Sequence, residues 1–93
     1  MISEAQWQQF LNNEITPHFR DGLTVLEAYG QYLNSAGSLT REKTKVVILI
    51  YAPSPEKNQA INEIIDSYKQ KFQQESVLRV SSIVQVSTYA LTK

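Results

Sequence analysis

A six-residue apolar run, VVILIY from Val46 to Tyr51, constrains most strongly what this chain can fold into. Four of its residues are valine or isoleucine, which are β-branched and favour extended backbone over helix. Because neighbouring side chains of a strand point to opposite faces, an unbroken apolar run indicates a strand covered on both faces. We therefore predict that this segment is the central strand of a small sheet and the middle of the core.

The first helix is predicted to begin at Ser3, whose hydroxyl can cap it while Gln6, three residues later, completes a capping box. Pro17 disfavours helical backbone at the residue before it, so this helix should end near Thr16. Its apolar stripe recurs at helical spacing and comprises Trp7, Phe10, Leu11 and Ile15.

The second helix is predicted to begin at Ser54-Pro55-Glu56, where serine caps, proline tolerates the first position and glutamate meets the positive end of the helix dipole. The polar run Gln74-Glu75-Ser76 should end it by satisfying free carbonyl groups. Its apolar stripe comprises Ile61, Ile64, Ile65, Tyr68 and Phe72.

Two further strands are predicted, one between the first helix and the central strand and one after the second helix. One begins at Leu23 and contains Gly30, which suggests a bulge or the close approach of another backbone. A hairpin loop, NSAGSLT over residues 34–40, follows it. The last strand is predicted within residues 76–90, and its even-numbered apolar residues share one face: Leu78, Val80, Val84 and Val86.

The predicted fold class is α+β, in one domain over residues 1–93. The order α-β-β-α-β is that of a ferredoxin-like α/β sandwich lacking its first strand, with two helices on one face of an antiparallel or mixed sheet. Either the last two strands pair in parallel, or a segment from elsewhere fills the empty slot between them. Both arrangements leave sheet edges that need cover, so we expect a homodimer.

The charge balance bears on the partners of the chain. Nine basic residues offset nine acidic ones, so no strong positive field is available, and we expect neither nucleic acid nor membrane as a partner. There is no cysteine, which excludes disulfides, thiolate nucleophiles and cysteine-ligated zinc. No apolar run approaches the about 20 residues of a membrane span, and the start lacks a signal-peptide pattern, so we expect a cytoplasmic protein.

Four stretches, in this order, resemble an uncharacterised bacterial group, domain-of-unknown-function family 3574: TPHFRDGLTV, GQY, REKTK and YKQKFQQESVL. The resemblance covers the chain from Trp7 to Val86. The family usually has arginine where this chain has His18, proline at Arg20 and tryptophan at Tyr32, and it usually begins with a strand before the first helix. The resemblance implies a small α+β fold and no known activity.

Six residues are candidates for ligand binding, and no catalytic residue is singled out: His18, Asp21, Thr24, Tyr29, Gln31 and Arg41. His18 could act as a base or metal ligand, but a lone histidine makes a weak metal site, and a loop histidine near a helix C-terminus is the preferred interpretation. Asp21 with Gly22 is typical of a turn. We predict no metal site and no cofactor.

The strand that holds Thr24, Tyr29 and Gln31, together with Tyr32, could line a ligand cavity or a dimer interface, and we favour the interface. Arg41 and Lys45 could clamp an anion, although neutralisation of one of them by Glu42 across the strands is preferred.

Three functions are compatible with these patterns. The favoured one is a non-enzymatic dimeric module that binds a small ligand, of unknown identity, or another protein. The alternative is a small cofactor-independent enzyme of the dimeric α/β-barrel type, with a pocket near His18, Asp21 and Tyr29. A third, RNA binding on the sheet, would use Tyr29, Tyr32 and Tyr51, but the chain has no basic surplus.

Overall fold

The computed structural model describes residues 2–73 and 77–89. Two helices, α1 (Glu4–Phe10) and α2 (Pro55–Phe72), enclose two strands in the sequence, β1 (Thr24–Leu33) and β2 (Leu39–Ile48). The described elements therefore follow the order α-β-β-α, and the predicted α+β class is confirmed.

The start of α1 follows the predicted capping box. The Ser3 hydroxyl accepts a hydrogen bond from the Gln6 backbone N–H at 3.1 Å, and the Gln6 side chain accepts one from the Ser3 backbone N–H at 2.9 Å. These two bonds satisfy backbone donors that the first turn of a helix leaves without intrahelical partners.

The helix does not continue as one α-helix to Thr16 as predicted. It changes at Leu11 into a π-helix (Leu11–Ile15), and then into a 3-10 helix (Thr16–His18) that contains Pro17. Trp7, Leu11, Ile15 and Phe19 are all buried and lie four residues apart. An α-helix of 3.6 residues per turn would rotate this series away from the core, and the wider π turn keeps it on one side.

The predicted start of α2 is confirmed at Ser54. The Ser54 hydroxyl accepts a hydrogen bond from the Lys57 N–H at 3.1 Å, and Pro55 occupies the first turn. At the other end, Gln73 adopts the left-handed conformation (φ 52°) that commonly ends a helix. The predicted cap at 74–76 lies outside the described residues.

The core is an aromatic and aliphatic cluster between the helices and one face of the hairpin. Its buried members are Trp7, Phe10, Leu11, Ile15, Phe19 and Ile61. Tyr68 meets Phe10 edge to face, at 5.4 Å between ring centroids, and burial raises the pKa of the Tyr68 hydroxyl. From the strand region, Val25, Val47, Leu49 and Tyr51 pack against the cluster, so both helices lie on one face of the sheet, as predicted.

The two strands form an antiparallel sheet in an unbroken register, from Thr24 opposite Ile48 to Leu33 opposite Leu39. Gly30 lies opposite Glu42 within this ladder, so the predicted bulge is wrong. A Cβ at Gly30 would come no closer than 3.5 Å to its nearest neighbour, the Thr44 hydroxyl, which is an ordinary contact. Glycine here reflects neither a bulge nor a close backbone approach.

The hairpin loop predicted over residues 34–40 is confirmed at residues 34–38, because Leu39 and Thr40 already belong to β2. The Asn34 side-chain oxygen accepts hydrogen bonds from the N–H groups of Ala36 (3.0 Å) and Ser38 (2.9 Å). Gly37 takes a positive φ of 81°, which a glycine adopts without strain.

Two predictions about the sheet need correction. Residues 77–89 have no regular secondary structure, so the predicted last strand is not observed there, and the ferredoxin-like order is not confirmed. The run from Val46 to Tyr51 is not covered on both faces, because strand β2 ends at Ile48 and only one face meets the core. Its residues alternate between the core side and the exposed side, and the uniform apolar sequence concealed that alternation.

A matched pair of leucine truncations tests the position of the core. Leu11 is buried in the π-helix and Leu39 is exposed on β2. We expect Leu11→Ala to lower the free energy of unfolding by about 2–5 kcal/mol, because it leaves a cavity in the cluster. Leu39→Ala should change it by no more than about 0.5 kcal/mol. Urea denaturation followed by circular dichroism measures both values, and equal losses would contradict this placement of the core.

Candidate functional site

The six predicted site residues do not form one site. His18 and Asp21 are exposed at the corner between the 3-10 helix and β1. Asp21 lies in a turn in which the Gly22 N–H donates to the Phe19 carbonyl at 3.0 Å, and Gly22 has a φ of 129°. This geometry agrees with the turn interpretation of the Asp-Gly pair.

An open groove of about 360 Å³ borders the same corner, and its lining includes Asp21, Phe19, Tyr51, Ser54 and Lys57. The Lys57 ammonium lies 4.8 Å from the centroid of the Phe19 ring and also donates to the His18 carbonyl. Sequence reasoning missed Lys57, because α2 brings it here from 36 positions beyond Asp21 in the chain.

Tyr29, Gln31 and Arg41 lie farther along the hairpin. The Arg41 guanidinium is 4.9 Å from the Tyr29 ring centroid, and Gln31 is the register partner of Arg41. At about 3.3 Å per residue, Tyr29 is about 17 Å along the strand from Thr24, where β1 begins. Neither His18 nor Tyr29 belongs to the lining of the groove beside Asp21.

Lys45 is the centre of a charge cluster on the helix side of the sheet. Its ammonium lies 2.6 Å from Glu27 and 2.8 Å from Glu4, and its side chain is only 18% exposed. Hydrogen bonds to Glu27 and Glu4 raise the pKa of Lys45, and the bond from Lys45 lowers the pKa of Glu27. The acid that neutralises Lys45 across the strands is therefore Glu27. Glu42, which we expected in this role, lies on the opposite face.

The register divides the hairpin into two chemically different faces. Paired residues share a face, and Val25 opposite Val47 marks the inner face because both pack against the core. Four of the ten inner-face residues are charged: Glu27, Arg41, Lys43 and Lys45. The outer face has one charged residue, Glu42, among its ten: Thr24, Leu26, Ala28, Gly30, Tyr32, Thr40, Glu42, Thr44, Val46 and Ile48.

Three of these side chains form what we call the outer patch: Leu26, Val46 and Ile48. They are exposed by 49%, 37% and 42%, and Leu26 is the register partner of Val46. The core cluster takes its strand residues from the other face. The outer patch is thus an uncovered apolar surface within the described part of the chain.

A second exposed apolar region follows α2, in residues 77–89. Arg79 ties its beginning to the rest of the protein by donating to the side-chain oxygens of Asn58 (3.1 Å) and Asn62 (3.5 Å) and to the Tyr51 hydroxyl (3.3 Å). Every residue from 77 to 89 is exposed.

The described residues contain no cluster of three or more histidine or acidic side chains placed to hold a metal ion. Among the same residues, no helix has the length and apolar character needed to cross a membrane.

A family model described as a protein of unknown function, DUF3574, matches residues 1–88. The chain belongs to this family. No curated protein and no solved structure matches it.

In this DUF3574 protein, the stretches that carry the resemblance have clear structural positions. TPHFRDGLTV forms the 3-10 helix, the turn and the start of β1, and REKTK lies within β2. The first six residues of YKQKFQQESVL complete α2 or cap it. These segments form the corner before β1, part of β2 and the end of α2.

Glu14 joins the π-helix to α2. Its carboxylate accepts hydrogen bonds from the Lys71 ammonium and the Ser67 hydroxyl, and its side chain is 25% exposed. The bond from Lys71, followed by that from Ser67, lowers the pKa of Glu14 below its ordinary value of 4.5. The ionised form therefore stabilises the folded state.

This contact predicts a pH-dependent loss of stability in Glu14→Gln. At pH 7 the variant should unfold with a free energy lower by about 1 kcal/mol, because the charged acceptor is gone. The contribution of the ionised Glu14 carboxylate to the free energy of unfolding is complete above pH 4.5. It is lost as the pH falls through the folded-state pKa of Glu14, which lies below 4.5. The difference from wild type should therefore shrink on acidification.

Urea denaturation between pH 7 and pH 3 measures this difference. Glu63→Gln, in the exposed middle of α2, removes the same charge as a matched control and should show a smaller effect at pH 7. A difference for Glu14→Gln that is independent of pH would refute the role of the ionised carboxylate.

Proposed function

We propose that this DUF3574 protein is a non-enzymatic module that self-associates, with a second copy covering the outer patch. The observation that carries the proposal is the exposure of Leu26, Val46 and Ile48 on a sheet face that lacks cover in the described part of the chain. Contiguous exposed apolar surface on a small soluble protein commonly marks an interaction site.

The shape of this surface favours a protein over a small ligand as its partner. Sites for small molecules are concave and enclose most of the ligand surface. The outer patch lies on the face of a two-stranded sheet, where side chains stand side by side, and such a face is suited to packing against another sheet.

The chemistry of the outer face favours a second copy. A two-fold interface brings the same residues of two copies together, so the patch must be complementary to itself. The outer face has one charged residue among its ten, so two copies can meet through it without strong like-charge repulsion. The inner face has four charged residues among its ten.

The other two functions have less support. The enzyme alternative needs His18, Asp21 and Tyr29 around one pocket, and of these only Asp21 lines the groove at the corner. RNA binding needs aromatic rings on a common face. Tyr29 is on the inner face, Tyr32 is on the outer face and Tyr51 packs against the core.

Two charge substitutions on the same strand test the proposal. Ile48→Lys places a charge in the outer patch, and Leu39→Lys places one at an exposed apolar position on the inner face. Light scattering coupled to size exclusion should give a wild-type mass of at least twice the 10.6 kDa of one chain. Ile48→Lys should reduce that mass, and Leu39→Lys should retain it.

Circular dichroism checks that both variants keep their helices. A wild-type mass of one chain at high micromolar concentration would overturn the proposal. The same conclusion would follow if the Ile48→Lys variant kept the wild-type mass.

A further inference from the structure

Residues 77–89 combine strand-forming composition with a lack of strand partners. Six of the thirteen residues are valine, isoleucine or threonine, and all thirteen are exposed. The observed ladder joins β1 only to β2, so within the described ranges this segment pairs with neither strand. Unpaired backbone of this composition is a ready template for strand pairing.

The apolar residues at the even-numbered positions of this segment are arranged symmetrically about Ser82. Leu78 and Val86 lie four positions to either side of it, and Val80 and Val84 lie two positions to either side. Read in reverse, the even-numbered positions therefore present the same apolar pattern at the same distances from Ser82, whereas Val77 and Ile83 mirror Ser87 and Ser81. In an antiparallel pairing of two identical strands centred on Ser82, this symmetry sets the apolar residues of that face opposite one another.

We propose that residues 77–87 of two copies pair as antiparallel strands, with Ser82 opposite its own counterpart at a two-fold axis. This places Leu78 opposite Val86 and Val80 opposite Val84, so every apolar residue of the even-numbered face meets an apolar partner. Such cross-strand pairs are the contacts that stabilise a sheet.

On the even-numbered face, the symmetric register keeps more apolar pairs than its neighbours. A shift by one residue sets Leu78 opposite Gln85 and mixes the two faces. A shift by two residues sets Val80 opposite Ser82 and removes one of the apolar pairs. The register centred on Ser82 alone keeps all of them.

The single charge of the segment is compatible with the same register. Arg79 lies opposite Gln85 of the other copy, a neutral residue that can accept a hydrogen bond. The two Arg79 residues are six positions apart along the paired strands, which is about 20 Å. Like-charge repulsion between the copies is therefore weak at this separation.

The contacts of Arg79 also leave the even-numbered face accessible. Its guanidinium reaches Asn58 of α2 and the Tyr51 hydroxyl, so the odd-numbered side of the segment is turned towards the body of the protein at this point. Leu78 and Val80, on either side of it, are 90% and 84% exposed. The apolar side chains that the proposed cross-strand pairs need are therefore exposed in the single copy.

This inference rests on the proposed self-association and adds a second contact through which copies join. It uses residues 77–87 rather than the outer patch, so the two contacts can be tested separately. Because the chain contains no cysteine, a single introduced thiol reports one position of the interface.

The test compares Ser82→Cys with Ser87→Cys under mild oxidation. Opposed residues at an antiparallel two-fold axis have Cα atoms about 4.5–5.5 Å apart, within the range that a disulfide bridges. The two residues at position 87 would be about 33 Å apart in the same pairing. We expect Ser82→Cys to form a linked dimer at least ten times faster than Ser87→Cys, as seen on non-reducing gels.

Three outcomes separate this inference from the proposed function. Rapid linking of Ser82→Cys that persists after Ile48→Lys is added supports strand pairing, independently of the outer patch. Equal linking rates at positions 82 and 87 in a self-associating protein would overturn strand pairing and leave the proposed function standing. A wild-type protein that is monomeric, with no linking at position 82, would overturn both.

Discussion

The structure depends on one packing arrangement, in which a single aromatic cluster holds both helices against one face of the hairpin. Trp7 and Phe10 from α1 meet Tyr68 from α2, and Val25 and Val47 complete the contact from the strands. The cluster has no counterpart among the described residues on the outer face. The core covers only one face of the hairpin. The inner face contacts the core and has charged residues at its margin, whereas the outer face is apolar and has no cover among the described residues.

The parts of the fold that local sequence determines were predictable. The Ser3 and Ser54 caps and the apolar stripe of α2 follow from contacts within a few residues, and the structure confirms them. Whether one face of β2 or both faces would be covered was not predictable, because a continuous apolar run has the same sequence pattern in either case. Whether residues 77–89 form a strand depends on a partner backbone, which local pattern does not supply.

The same distinction applies to the candidate site. Asp21 and Gly22 form the turn that their chemistry favours, but Tyr29 and Arg41 lie well along the hairpin and stack on one another. Lys57 reaches the corner through the packing of α2, a long-range effect without a local signal. The histidine and aspartate that stood out in the sequence are therefore exposed at a corner of the fold, where the Lys57 ammonium donates to the His18 carbonyl.

The two proposed contacts have a joint geometric consequence. A face-to-face contact through the outer patch has its two-fold axis between the sheets, parallel to them. A strand pairing centred on Ser82 has its axis perpendicular to the ladder that the two copies of residues 77–87 form. If the two axes intersect at a right angle, they generate a closed assembly of four copies, whereas either contact alone generates a dimer. The masses of the wild-type protein and of the variants that remove each contact therefore show which surfaces join the copies.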